Sequence, residues 1–348
     1  MNKAFFPPPT DRLNRQSGIE LARILSMLLV VLSHAGVYSV GMPKIADFDA
    51  DPLSSSLVCV YEAFTYVCVN VFVLISGWFG IHFKMKRLLS LVFQVLFICF
   101  STWLILFLIG IAHRPDHWGV VQMVTLNSYW FVPAYLILYL LSPLLNSFVE
   151  SSGRGEVKKF LILFFIMQTV WGMLLKREWF NYGYSPLSFI GLYVLAQYIH
   201  RYKPKAFCKS RCFDVALYIL LSLSTALLSI LQIVSHHGDG WLPFMYLSPL
   251  VILASVFFFL FFVKTQIKSR AINWIASSVF AVYLVNCEPD SFSFFTTAIG
   301  TWSNELSLTN FLLYSCGLVA LTFVSGILID RIRLFLWSRV ERKYYTNE

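Results

Sequence analysis

Formal charge is scarce in this chain. Only 13% of its 348 residues are Asp, Glu, Lys or Arg, while 58% are hydrophobic, against roughly 25% and 45–50% in ordinary soluble domains. One aqueous domain of this length could not cover so much apolar surface, so the composition excludes a soluble globular protein. We therefore expect an integral membrane protein whose main solvent is lipid.

Other signals are also missing. The seven cysteines are odd in number, lie mostly in apolar segments and show neither zinc-ligand nor redox spacing, so no metal site or disulfide framework is expected. The net charge of +9 comes from basic residues between apolar runs, which indicates membrane topology and no nucleic-acid partner. The polar first 15 residues lack a signal-peptide pattern, so the first apolar segment is expected to remain as a span.

Apolar stretches of about 20 residues predict an all-α protein with about ten transmembrane helices. No internal repeat or linker divides them, so we expect a cytoplasmic segment 1–16, one membrane domain 17–330 and a short basic tail 331–348, with no appended soluble domain. The ninth stretch has a polar break at 286–290, which predicts a span followed by an interfacial or re-entrant piece. The predicted spans are 17–38, 57–81, 88–112, 130–149, 160–175, 186–199, 215–234, 242–263, 272–299 and 308–329.

Basic residues mark one side of the membrane. With a cytoplasmic N-terminus, the outer loops hold only Lys44, Arg114, Lys176 and Arg177, Arg23 lies within the first span, and every other Lys and Arg falls on the inner side. Cytoplasmic loops carry the excess of Lys and Arg in membrane proteins. This asymmetry predicts an even number of spans with both termini cytoplasmic.

Ionisable residues inside the first span are candidates for function, because each costs at least about 2.5 kcal/mol to insert. Arg23 and His34 are eleven residues apart, which brings them within about 20° of each other on one helical face. Glu20 precedes Arg23 by one turn and is expected to pair with it. A neutral imidazole is a common general base, which makes His34 a catalytic candidate. The simpler interpretations are that Glu20 and Arg23 extend to the inner interface and that His34 forms a hydrogen bond in helix packing.

Polar groups in other spans are further candidates. Asn70 and Ser76 lie in the second span, where interhelical packing is the simpler interpretation. Lys84 and Arg87 follow on the cytoplasmic side, either as topology charges or as a grip for a phosphate. The remaining candidates for substrate contact lie in the fourth and ninth spans: Trp130, Tyr135, Tyr283, Asn286 and Glu288.

These elements, in this order, resemble the acyltransferase-3 family of bacterial integral-membrane O-acyltransferases. Arg23, ten residues and His34 are similar to its opening signature, and Val69 to Phe79, VNVFVLISGWF, resembles its Phe-Phe-x-x-Ser-Gly-aromatic segment. Further resemblances are the basic pair Lys84 and Arg87, the segment 129–143, and 278–286, which is similar to its Tyr-Leu-x-His stretch. Lys84 stands where the family usually has Arg, and Asn286 where it usually has His.

The resemblance implies a multi-pass protein of the bacterial inner membrane. It would transfer an acyl group, usually acetyl, from cytoplasmic acyl-CoA to a hydroxyl of a cell-surface or lipid-linked glycan, with acetyl-CoA as a substrate and no metal. His34 would act as base or acyl relay, with Arg23 and Glu20 beside it and Arg23, Lys84 and Arg87 holding the donor. Asn70, Ser76 or Tyr135 would supply the oxyanion donor.

Two alternatives remain open from the sequence. A multi-span glycan or lipid transporter could use Glu20, Arg23 and His34 as a proton relay, although the two similar halves common in transporters are missing. An enzymatically silent membrane subunit is favoured if Asn286 marks a decayed site. The acceptor sugar and the oligomeric state are not predicted.

Overall fold

The computed structural model describes residues 16–112, 119, 121, 125 and 129–344, with side chains as far as 339. The predicted segment 1–16 therefore lies outside the described residues except for Gln16, as do Arg114 and the end of the basic tail. Within the described residues every regular element is a helix. This confirms the predicted all-α class.

The described helices are joined by turns and loops. The helix Arg154–Met167 continues into the π-helix Gln168–Leu174, and single 3₁₀ turns lie at Asn181–Gly183, Lys205–Phe207 and Leu242–Phe244. The α-helices are α1 (Ser17–Ala35), α2 (Val37–Val40), α3 (Ile45–Ala50), α4 (Pro52–Thr65), α5 (Cys68–Phe79), α6 (Met85–Leu108), α7 (Phe131–Ser151), α8 (Arg154–Met167), α9 (Pro186–Tyr202), α10 (Arg211–Val234), α11 (Pro249–Val263), α12 (Arg270–Ala276), α13 (Val279–Asn286), α14 (Pro289–Glu305) and α15 (Leu308–Tyr344).

Eight segments of the described chain are long and apolar enough to cross a membrane, and a bent pair brings the number to nine. The bent pair joins Arg270–Asn286 to Pro289–Glu305 at an angle of 79°, which confirms the predicted polar break in the ninth span. The predicted span 186–199 is helix α9, whose 17 residues extend for about 25 Å, at the short end of the range for a spanning helix. Counting α9 as a span gives the predicted number.

Caps and prolines at the helix starts explain the boundaries. The side chains of Asp51, Ser185 and Glu288 each accept a hydrogen bond from a backbone N–H in the first turn of α4, α9 and α14. A proline follows each of these caps directly. Proline lacks the N–H that the first turn leaves unpaired, so cap and proline together favour a helix start at that residue.

Helices α5 and α11 form the centre of the bundle. In the spans that contain them, Pro52–Phe79 and Leu242–Val263, 72% of the most apolar window is buried. Helix α5 packs against α1, α9 and α11. A Cβ on Gly77 would lie 2.4 Å from the backbone oxygen of Tyr193, so only glycine permits this approach of α5 to α9.

Two of the basic residues that the sequence analysis assigned to the inner side of the membrane are buried in ion pairs. Lys264 donates two hydrogen bonds to Asp214 at 2.7 and 2.9 Å, joining α11 to α10. Arg333 pairs with Asp330 one turn earlier in α15, and both side chains are almost fully buried. Such buried pairs contribute to the packing of the bundle. A count of basic residues could not distinguish these two from exposed residues that mark only the side of the membrane.

Candidate active site

A cavity of about 510 Å³ lies beside the C-terminal half of α1. Along α1 its wall runs from Met27 to His34, about 10 Å at 1.5 Å per residue, and Tyr38 of α2 continues it. The wall is mainly apolar and aromatic, with few polar groups, as is usual for small-molecule sites. The lining residues are Met27, Val30, Ser33, His34, Tyr38, Cys68, Val69, Phe72, Trp130, Phe131, Tyr184, Tyr246, Phe280, Tyr283, Cys287, Pro289 and Phe292.

His34 is held by Asn286 at the cavity wall. The distance from Nδ1 of His34 to Oδ1 of Asn286 is 2.5 Å. The imidazole also contacts the rings of Tyr38 and Phe292 edge-on, with centroids 5.3 and 5.1 Å away. With Nδ1–H donating to the amide oxygen, Nε2 is the nitrogen that keeps a lone pair for a ligand. The sequence could not show that Asn286 contacts His34, and the fold brings the two residues together.

Two buried polar atoms near His34 have no hydrogen-bond partner. They are the hydroxyl of Tyr283, which lines the cavity, and Nδ2 of Asn286. Both residues lie on α13, three positions apart, and therefore on neighbouring parts of one helix face. Buried donors are nearly always paired in native structures. Tyr283 lines the cavity and Asn286 does not, so the Tyr283 hydroxyl is the one placed to meet a ligand.

Tyrosines and a tryptophan form another part of the wall. The hydroxyl of Tyr184 lies 3.0 Å from that of Tyr38 and 3.2 Å from that of Tyr66. Trp130 contacts Tyr184 edge-on, with ring centroids 4.4 Å apart, and Tyr246 stacks on Tyr66. Burial raises the pKa of Tyr184, which therefore remains a neutral hydrogen-bonding group.

The charged pair predicted on α1 is present one turn beyond the cavity. Nη1 of Arg23 donates to Oε2 of Glu20 at 2.7 Å, with the arginine side chain 28% exposed. Neither residue lines the cavity, whose wall on α1 begins with Met27.

Several predicted substrate-contact residues do not line the cavity. Asn70 donates its amide to the backbone oxygen of Tyr246 at 2.9 Å, and Ser76 pairs with Tyr135 at 3.2 Å. Glu288 accepts the backbone N–H of Ser291 as the cap of α14. These contacts support neighbouring elements, whereas Trp130, Tyr283 and His34 face the cavity itself.

The predicted basic pair stands apart from the cavity. Lys84 and Arg87 lie at the start of α6 with exposed side chains. The backbone of Lys84 is tied to the Tyr139 hydroxyl, which both accepts from its N–H and donates to its carbonyl. Among the described residues, no group of His, Cys, Asp and Glu is arranged to hold a metal ion.

Glu62 is a residue that the sequence reasoning missed. It lies in α4, is fully buried, and Oε1 accepts a hydrogen bond of 2.6 Å from Oγ of Ser33. Its Oε2 has no partner. The signal was available, because Glu62 is an ionisable residue inside the predicted span 57–81, as Arg23 is inside the first span.

Comparison with known families decides the class of protein. The sequence model that describes an acyltransferase domain, acyltransferase-3, matches residues 16–330. The chain belongs to the acyltransferase-3 family. No curated protein and no solved structure matches it significantly.

Family membership confirms the resemblance drawn from the motifs and makes the protein a membrane acyltransferase. In this acyltransferase, Asn286 replaces the histidine expected from the family pattern and its amide contacts His34. An amide can orient a histidine base, as the asparagine of a Cys-His-Asn arrangement does. The replacement is therefore compatible with an active site.

Proposed function

We propose that this acyltransferase moves an acetyl group from cytoplasmic acetyl-CoA to a hydroxyl of a cell-surface or lipid-linked glycan. The observation that carries the proposal is His34, oriented by Asn286 at the wall of the aromatic cavity. General bases of this kind need an oriented ring, a free nitrogen and space for the reacting hydroxyl. All three are supported by the geometry around His34.

The reaction follows from the free nitrogen of the ring. Nε2 of His34 takes the proton of the acceptor hydroxyl while the hydroxyl oxygen attacks the thioester carbonyl. A C–O bond forms, the C–S bond breaks, and the thiolate leaves with the proton that His34 returns. The hydroxyl of Tyr283 has no partner and its residue lines the cavity, so it is suited to stabilise the developing oxyanion, which such a donor does by up to a few kcal/mol.

The donor is oriented by charge at the opposite end of the site. Arg23 lies eleven residues before His34 on α1, a separation of about 16 Å along the helix. A thioester on an extended arm, with phosphates at its far end, matches this separation of a cation from a base. Lys84 and Arg87, exposed on the predicted cytoplasmic side, complete the cationic entrance.

The acceptor is suited to the aromatic wall. Trp130, Tyr184 and Tyr246 surround the cavity with ring faces and edges. Aromatic rings combine a large apolar surface with polar edges, which suits the mixed faces of a sugar. With the predicted topology this end of α1 is extracytoplasmic, where a surface glycan is found.

The proposal is tested with membranes from cells that express the wild type, His34→Ala or His237→Ala. Labelled acetyl-CoA is added and label in the glycan is followed. We expect His34→Ala to lower transfer by about 10²- to 10⁴-fold, the usual contribution of a general base. His237 is exposed in a loop, so its variant is the matched control and should keep transfer unchanged.

Equal transfer by wild type and His34→Ala would exclude the proposed base. Absence of transfer from the wild type, together with altered export of surface glycan, would favour a transporter. Label that remains bound to wild-type protein but not to His34→Ala would show that His34 carries the acetyl group.

A further inference from the structure

Ser33 lines the cavity with its hydroxyl proton already used in a hydrogen bond to another helix. Its hydroxyl donates to Oε1 of Glu62 at 2.6 Å, a short O–H···O hydrogen bond. A serine hydroxyl has one proton and two lone pairs. Because the proton is committed to Glu62, the Ser33 oxygen offers only lone pairs to the cavity that it lines.

Glu62 is well placed to keep that proton. Its side chain is fully buried, and the ion pairs seen among the described residues do not include it. A buried carboxyl oxygen needs a hydrogen-bond donor whether or not the group is ionised, and Ser33 is the donor that Oε1 of Glu62 has. The direction of the Ser33 hydroxyl is thus set by the carboxylate behind it.

The last turn of α1 is held in place by α4. Tyr61 donates its hydroxyl to the backbone oxygen of Leu32 at 2.7 Å, next to the contact of Glu62 with Ser33. A Cβ on Gly36 would lie 2.6 Å from the Tyr61 ring and 3.1 Å from Oε2 of Glu62. The two helices therefore meet closely, and Ser33 sits on a rigid support beside His34.

We propose that Ser33, polarised by Glu62, is a specificity site that accepts a hydrogen bond from a second hydroxyl of the acceptor. The inference rests on the proposed function and adds a requirement to it. While His34 deprotonates one hydroxyl, Ser33 recognises a neighbouring hydroxyl by its proton. Adjacent residues on α1, both lining the cavity, make this a site for a polyol such as a sugar with neighbouring hydroxyls.

The pairing also predicts which analogues fail. The second hydroxyl of the sugar donates to the Ser33 oxygen. A hydrogen atom in place of that hydroxyl leaves the Ser33 oxygen unpaired, and a fluorine atom in its place cannot donate. Loss of one such hydrogen bond in an enclosed site should lower kcat/KM by about tenfold or more. A deoxy sugar and its deoxyfluoro counterpart should therefore be equally poor acceptors for the wild type.

The experiment uses full-length protein in membranes, acetyl-CoA, and methyl glycosides of common hexoses with their monodeoxy and monodeoxyfluoro derivatives. The parent glycoside that the wild type acetylates is identified first. Its kcat/KM is then divided by the kcat/KM of each of its deoxy derivatives, in wild type, Ser33→Ala, Ser33→Thr and Glu62→Gln. A ratio taken within one preparation does not depend on how much of a variant is folded.

We expect one neighbouring hydroxyl to give a ratio of about ten or more in the wild type and in Ser33→Thr. In Ser33→Ala the ratio should fall to about one, because the parent glycoside becomes as poor as its deoxy derivative. In Glu62→Gln the amide N–H can donate to Ser33, which leaves the Ser33 hydroxyl free to donate into the cavity. Fluorine can accept that hydrogen bond, so kcat/KM for the deoxyfluoro sugar should improve relative to that for the deoxy sugar.

The control is Ser26→Ala, the same substitution on the same helix. Ser26 is fully buried, does not line the cavity, and its hydroxyl has no partner, so its ratio should equal that of the wild type. An unchanged ratio in Ser33→Ala would overturn the inference and leave the proposed function standing. Failure of the wild type to acetylate any glycoside in the set would overturn the proposed function itself, and the inference with it.

Discussion

Removal of the Asn286 amide should impair the chemical step more than donor binding. Asn286 is fully buried, and its Oδ1 lies 2.5 Å from Nδ1 of His34. In Asn286→Ala the Nδ1–H group keeps its enclosed position but loses its acceptor. The lost acceptor costs most in the transition state, where the ring carries the proton, by about 1–3 kcal/mol. Without that acceptor the neutral ring also loses its preference for the tautomer with the lone pair on Nε2.

That energy corresponds to a rate loss of about 5- to 160-fold, since each 1.36 kcal/mol is a factor of ten. The loss should appear in kcat, with the KM for acetyl-CoA changed little, because Asn286 acts through His34 and does not contact Arg23, the cation proposed to hold the donor. Thiol release from acetyl-CoA, measured in membranes with the glycan acceptor present, gives both constants.

Asn286→His restores a nitrogen that can accept from His34 and should keep more activity than Asn286→Ala. Asn304→Ala is the matched control, because Asn304 is exposed on α14 and donates only to a backbone oxygen of its own helix. A wild-type kcat in Asn286→Ala, or an equal loss in Asn304→Ala, would refute the reasoning.

Three further results are expected. Gly36→Ala should lower thermal stability and transfer together, because its Cβ would lie 2.6 Å from the Tyr61 ring; wild-type melting of the purified variant would contradict this. Lys264→Met should destabilise the protein by about 3–5 kcal/mol by leaving Asp214 buried without its cation, and the added change Asp214→Leu should recover much of the loss in thermal denaturation; no recovery would mean that the ion pair is not the cause. Reporter fusions in the segment 201–211 should be cytoplasmic, and an extracytoplasmic signal would overturn the predicted topology.

The sequence by itself determined the class, the order of the spans and the family. Each depends on local information: apolar runs about as long as a membrane is thick, basic residues between spans, and short motifs in a fixed order. The pairing of Glu20 with Arg23 belongs to the same group, because a separation of three residues on one helix brings two side chains together whatever surrounds them.

Only the tertiary structure decided which polar residues meet at the cavity. Asn286 reaches His34, and Glu62 reaches Ser33, across helices that are far apart in the chain. Asn70 and Ser76 are equally polar in sequence but are directed at a backbone oxygen and at Tyr135. The rotation of each helix about its axis decides these partners, and that rotation is set by packing against several neighbours at once, such as the close contacts at Gly36 and Gly77.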